Sequence, residues 1–162
     1  MKRYSILMCL LLLTSNITTL QAQKKYVSYK YDIASTPWAE SLGNHRAVIQ
    51  IDKPTDVAAL NFEWRRPDKE VDQRRMLIIN AQTGDTISNV RRIEINNDRC
   101  RLQFGPVINA GTYYFYYLPY QVQPGGGFYG LNYIKPEKTA DSEWLNKAAK
   151  VRSPLEAVIT NV

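Results

Sequence analysis

The chain has 162 residues, enough for one hydrophobic core and too few for a second domain of usual size. Its 21 Lys and Arg are interleaved with 15 Asp and Glu, giving a net charge of +6, a pattern of solvated faces that argues against a nucleic-acid partner. One histidine and two cysteines argue against a structural zinc site, which wants about four nitrogen or sulfur ligands, and neither metal nor cofactor is expected.

Residues 1–22 read as a secretory leader: Lys2 and Arg3, an apolar run from Ile6 to Leu13, a polar stretch, and Ala22 as the small residue before the cut. The run is about half the ~20 residues of a membrane-spanning helix, and no later segment is long or apolar enough to span. Cys9 lies inside the run rather than just past it, where a lipid anchor would attach. Removal of the leader lowers Lys and Arg from 21 to 19 against 15 acids, a net charge of +4, and leaves Cys100 as the single cysteine, without an intrachain partner. The expected destination is the periplasm or the exterior.

After a polar lead-in from Lys24 to Ser41, Ala47, Ile49 and Ile51 alternate with polar residues, predicting a strand that Pro54 ends. Ala58, Leu60, Phe62 and Trp64 share the buried face of a second strand. The charged segment from Arg65 to Arg75, with Pro67, reads as a solvated connection, Met76 to Ile79 as a short apolar strand, and the turn after it needs Gly84. Ile93 and Ile95, the turn Asn96-Asn97-Asp98, and Cys100, Leu102 and Phe104 predict a hairpin with the Cys100 thiol in the core. Gly111 to Gln121 predicts the longest strand, aromatic on both faces and so covered on both, with Pro119 limiting its pairing. Val122 to Lys138 reads as a long loop, followed by a short helix capped by Thr139 or Asp141 that aligns Trp144, Leu145 and Ala148. Pro154 to Val162 reads as the start of another strand. Six or more strands and one late helix predict an all-β fold, a β-sandwich of two antiparallel sheets with one short C-terminal helix.

Catalytic constellations are weakly represented. His45 precedes the first strand and reads as structural, not as the base of a nucleophile. Asp68, Glu70 and Asp72 could align as paired carboxylates, but Arg65, Arg66, Lys69, Arg74 and Arg75 neutralise them. Tyr114, Tyr116, Tyr120, Phe128 and Tyr129 are candidates for an aromatic platform that stacks on a sugar; the competing reading places them in the core and in an interdomain contact.

Four blocks carry a resemblance: Leu42-Gly43-Asn44-His45-Arg46-Ala47-Val48, Trp64-Arg65-Arg66-Pro67-Asp68, Arg92-Ile93-Glu94-Ile95-Asn96, and Gly111 to Tyr120. Together they resemble the N-terminal domain of glycoside hydrolase family 123-like proteins. The resemblance implies a β-sandwich ahead of a (β/α)8 barrel in secreted enzymes similar to β-N-acetylgalactosaminidases. There an Asp-Glu pair of the barrel performs the acid chemistry with the substrate's acetamido group assisting. No catalytic residue maps onto this chain. The expected organisation is a leader at 1–22, a sandwich at 23–138, and at 139–162 a helix and the cut-short beginning of a barrel the chain lacks, with Leu118, Trp144 and Leu145 in the interdomain contact. The expected function is a noncatalytic accessory domain of such an enzyme. Two alternatives stay open: a stand-alone module binding an N-acetylgalactosamine-type glycan through its aromatic face, and a structural cell-surface sandwich.

Overall fold

The computed structural model describes residues 27–123 and 130–162; the leader, the glycine run, Phe128 and Tyr129 lie outside them. Among the described residues, ten strands and one α-helix follow in chain order: β1 (Arg46–Ile51), β2 (Ala58–Phe62), β3 (Met76–Asn80), β4 (Asn89–Ile95), β5 (Cys100–Gly105), β6 (Gly111–Tyr117), β7 (Tyr120–Gln123), β8 (Gly130–Tyr133), α1 (Ser142–Lys150), β9 (Leu155–Glu156) and β10 (Val158–Asn161). Two four-stranded sheets, β10-β1-β6-β3 and β4-β5-β2-β9, face each other, and β7-β8 forms a separate hairpin. The all-β sandwich is what the alternating patterns predicted.

The core is the set of inward positions those alternations named. Ala47, Ile49 and Ile51 of β1 and Phe115 of β6 are buried between the sheets, with Phe62 of β2 and Cys100, Leu102 and Phe104 of β5 in the opposite sheet. Phe62 is the aromatic hub, meeting Trp64, Phe115 and Tyr117 at centroid separations of 5.7, 6.4 and 5.7 Å, in the tilted and edge-on arrangements that ring quadrupoles favour. Side-chain chemistry sets both long hairpin turns. The Asn80 carboxamide accepts the backbone N–H groups of Gln82 and Thr83, and Asn96 does the same for Asp98 and Arg99, the Asx geometry that suits asparagine to turns.

Four segments depart from expectation. The polar lead-in is structural: Tyr29 packs edge-on against Phe62 and its hydroxyl accepts the N–H of Glu63, while Trp38 donates its indole N–H to Gly43 O at 2.7 Å. The long strand divides, because Leu118 takes a left-handed φ of +58° and Pro119 cannot donate to a ladder, so the chain restarts as β7. The expected loop from Val122 contains β8, which pairs antiparallel with β7 from Tyr120–Tyr133 to Gln123–Gly130. The run after Pro154, expected to open a barrel strand, lies instead in the sandwich itself: β9 runs parallel to β2 and β10 pairs antiparallel with β1. Ala157, between them, donates its N–H to Ala59 O at 2.7 Å and is buried in the core, so the segment closes both sheets.

Helix α1 finds its apolar partner inside the domain. Asp141 caps it by accepting the Trp144 N–H at 2.8 Å, and Trp144 and Ala148 bury against Val57, which precedes β2. The Trp144 indole donates to Asp56 O at 3.0 Å, and Lys147 pairs with the Asp56 carboxylate at 2.6 Å. No helix among the described residues is long and apolar enough to cross a membrane.

Candidate functional site

One end of the sandwich gathers polar and aromatic groups from five segments. His45 enters just before β1, and its ring lies 5.5 Å from that of Tyr117 at the end of β6. The 65–75 connection brings Arg66, whose Nε donates to Asp68 Oδ2 at 3.0 Å, and Arg66 also sits 5.8 Å from the Tyr117 ring. Tyr133 of β8 donates its hydroxyl to the other Asp68 oxygen, and Arg74 stacks on the Tyr133 ring at 4.7 Å. Asn97, from the β4-β5 turn, donates through its amide to the carbonyls of Arg66 and Asp68 at 2.6 and 2.9 Å. Arg75 pairs with Glu137 at 3.0 Å, tying down the segment after β8.

The electrostatics follow from that packing. Burial pushes the Asp68 carboxyl up, but the Tyr133 hydroxyl and the Arg66 guanidinium outweigh it and hold the group below its ordinary value. The Tyr133 phenol is raised by burial and by the same carboxylate. Burial, with Arg66 nearby, lowers His45 against a smaller opposing pull from Asp68, so the imidazole favours its neutral form. Its Nδ1 is buried without a hydrogen-bond partner among the described residues. Tyr117 is pushed up to about 12, chiefly by burial.

This cluster is held by its own ion pair and hydrogen bonds, and it offers no activated nucleophile. Cys100 lies in the core with its thiol pushed up to about 12 by burial, so a thiolate is not available at neutral pH. Among the described residues no group of three or more His, Cys, Asp or Glu is placed to hold a metal ion. Asp68 is occupied by Arg66 and Tyr133, while Glu70 pairs with Arg74 at 3.8 Å, so these carboxylates are not an acid-base couple across a cleft.

Of the residues expected to form a sugar platform, Tyr114 and Tyr116 meet edge-on on β6 at 6.1 Å between ring centroids, and Tyr120 lies on β7. Tyr116 is only 4% exposed, because Trp38 from the lead-in covers it edge-on at 5.7 Å. Tyr114 is half-buried, with the Arg46 guanidinium 4.1 Å over its ring. Tyr120 is half-buried on β7, beside a shallow cavity of about 370 Å³ lined also by Glu40, Ser41 and Gln121. Phe128 and Tyr129 lie outside the described residues. Of the residues expected at an interdomain contact, Leu118 is fully buried and Trp144 is 8% exposed, both within this domain, while Leu145 is half-buried beside Val57. Arg74, Arg75, Asn97 and Tyr133 were not singled out by the sequence. Their charge runs and turn chemistry look ordinary until the fold brings them together.

The four sequence blocks, up to tens of residues apart, meet at this same end. Trp64 donates its indole N–H to Asn96 O at 2.7 Å, Tyr117 donates its N–H to His45 O at 3.3 Å, and the Tyr117 ring packs 5.5 Å from that of Trp64. The family model described as glycoside hydrolase 123, N-terminal domain, matches residues 36–161. The chain belongs to this family. The match runs from the lead-in through β10, so it covers both sheets, the hairpin and α1 of this glycoside hydrolase 123 N-terminal domain. No curated protein and no solved structure matches the chain.

Proposed function

We propose that this glycoside hydrolase 123 N-terminal domain is a noncatalytic accessory part of an exported enzyme, supporting a separately folded catalytic barrel that hydrolyses an N-acetylgalactosamine-type glycan. The observation that carries the reading is the family match across 36–161. Around Asp68 the described groups are engaged with one another: Asp68 and Glu70 are paired with Arg66 and Arg74, the His45 imidazole is held toward its neutral form, and the Cys100 thiol is buried. The charged and aromatic end around Arg66, Asp68 and Tyr133 is the surface we assign to the support of the barrel, its groups held in place by one another. Export follows from the leader at residues 1–22, which predicts a mature N-terminus at Gln23.

The test is an assay of the purified protein on an aryl N-acetyl-β-galactosaminide, alone and mixed with a separately produced family barrel. The accessory reading expects no turnover by the protein alone, and a gain in barrel thermal stability or activity on mixing that Asp68→Ala diminishes. Turnover by the protein alone overturns it. Failure to associate, together with glycan binding, favours the stand-alone module.

A further inference from the structure

The outer face of the first sheet carries a feature the accessory role does not use. Strand register sets three rows across it: Leu77, Tyr116 and Arg46; then Ile79, Tyr114, Val48 and Asn161; then Thr112, Gln50 and Val158. Arg46 is the single charge in these rows. Its guanidinium lies 4.5 Å from the Trp38 ring centroid and 4.1 Å from that of Tyr114, a cation held between two aromatic faces. No carboxylate among the described residues is within ion-pair distance of it, and residues 1–26 and 124–129 contain no Asp or Glu. The rings fix the plane of the fork and leave its N–H donors without an anionic partner. A guanidinium so placed is suited to receive a carboxylate in bidentate geometry with little ordering cost on binding.

Tyr114 also lines a cavity of about 320 Å³ together with Gln82, Thr112, whose hydroxyl donates to Gln50 and can still accept, and Asn80, whose amide is held by its turn and Tyr113. Amide and hydroxyl groups around one aromatic ring are the mixture that binds a polyhydroxylated ring. From the row of Arg46 to the row of Thr112 is four residues of strand, about 13 Å, a span suited to a short oligosaccharide. We propose that this face binds an acidic oligosaccharide, with a uronate carboxylate on Arg46 between Trp38 and Tyr114 and a neighbouring sugar in the cavity beside Tyr114. The cavity's amides and hydroxyl favour a saccharide over an acidic peptide, which would be read through an open sheet edge or an apolar groove. The proposal is independent of the accessory-domain reading, since Arg46 and Tyr114 lie on the outer sheet face and make none of the contacts that hold the Asp68 cluster.

Calorimetric titration of the purified protein with trigalacturonic acid, its methyl ester and triglutamate tests it, with Arg46→Lys, Arg46→Met and Tyr114→Ala as variants. The expected result is binding of the acid at least tenfold tighter than the ester, a loss of fivefold or more in Arg46→Lys, and abolition in Arg46→Met. The methyl ester reads the carboxylate on the unaltered protein, so the test holds even if a variant fails to fold. Equal affinity for acid and ester, no binding of the acid by folded protein, or affinity unchanged in folded Arg46→Lys overturns the proposal. Tighter binding of triglutamate than of the acid also overturns it, in favour of an acidic protein partner. Barrel association is read in the same preparations, so a failure here is separable from a failure of the accessory role.

Discussion

At the scale of single residues, close approach and titration make the sharpest expectations. Gly105 ends β5 at a φ of +155°, and a Cβ there would stand 2.3 Å from Asp56 O, a backbone atom held by the Trp144 indole. Gly105→Ala should therefore cost on the order of 2 kcal/mol or more, measured by urea unfolding, because neither the backbone nor its neighbour can yield cheaply. Two titrations act in the same direction by different routes. The Asp68 carboxyl is held below its ordinary 3.8 in the folded chain, so its contribution is complete above that value and is lost as pH falls through the lower folded value. Asp68→Asn should flatten that acid limb and lower stability at neutral pH. His45 is also lowered, from an ordinary 6.5, and because burial disfavours its charged form the folded state loses ground as pH drops below 6.5. A His45→Phe variant should lack this slope; melting curves from pH 7 to 5 measure it.

Among the elements, periodicity was the reliable guide where a strand has one buried face. Ala47-Ile49-Ile51 and Cys100-Leu102-Phe104 could be read directly, because side chains on a strand alternate and these positions face the core. The signal failed where the chain turns on a backbone anomaly. Nothing in Tyr117-Leu118-Pro119 announces that Leu118 adopts a left-handed conformation, so one aromatic strand was expected where β6 and β7 stand. The β8 strand was hidden by glycine-rich composition. Helix α1 was legible in both its cap and its stripe, and its cap can be tested alone: Asp141→Ala should cost about 1 kcal/mol, detectable as a lower urea midpoint with the slope unchanged.

For the molecule as a whole, the C-terminal segment has the largest consequence. Because β9 extends one sheet and β10 the other, a chain ending at Ser153 loses an outer strand from each sheet together with Ala157, Leu155 and Ile159, which belong to or pack against the core. Such a truncation should abolish cooperative unfolding and bind a hydrophobic dye, while the full chain melts in one transition. The site obeys the same logic. Tyr133, Asn97, and the pair Asp68 and Arg74 come from three separate segments, and they form a network only after the hairpin docks on the 65–75 connection.

The sequence alone determined the all-β class, the inward-facing residues, the capped helix and, through four spaced blocks, the family. These are local or periodic properties, fixed by side-chain alternation, turn chemistry and motif spacing. Tertiary structure decided which face of each aromatic strand is covered, where the last strands pair, and which charges meet. Trp38 reads as part of a polar lead-in until it lies over Tyr116, and Arg46 reads as one surface charge among many until two rings close on it. Contacts between segments distant in sequence depend on the packing of whole sheets, and no window of residues encodes them by itself.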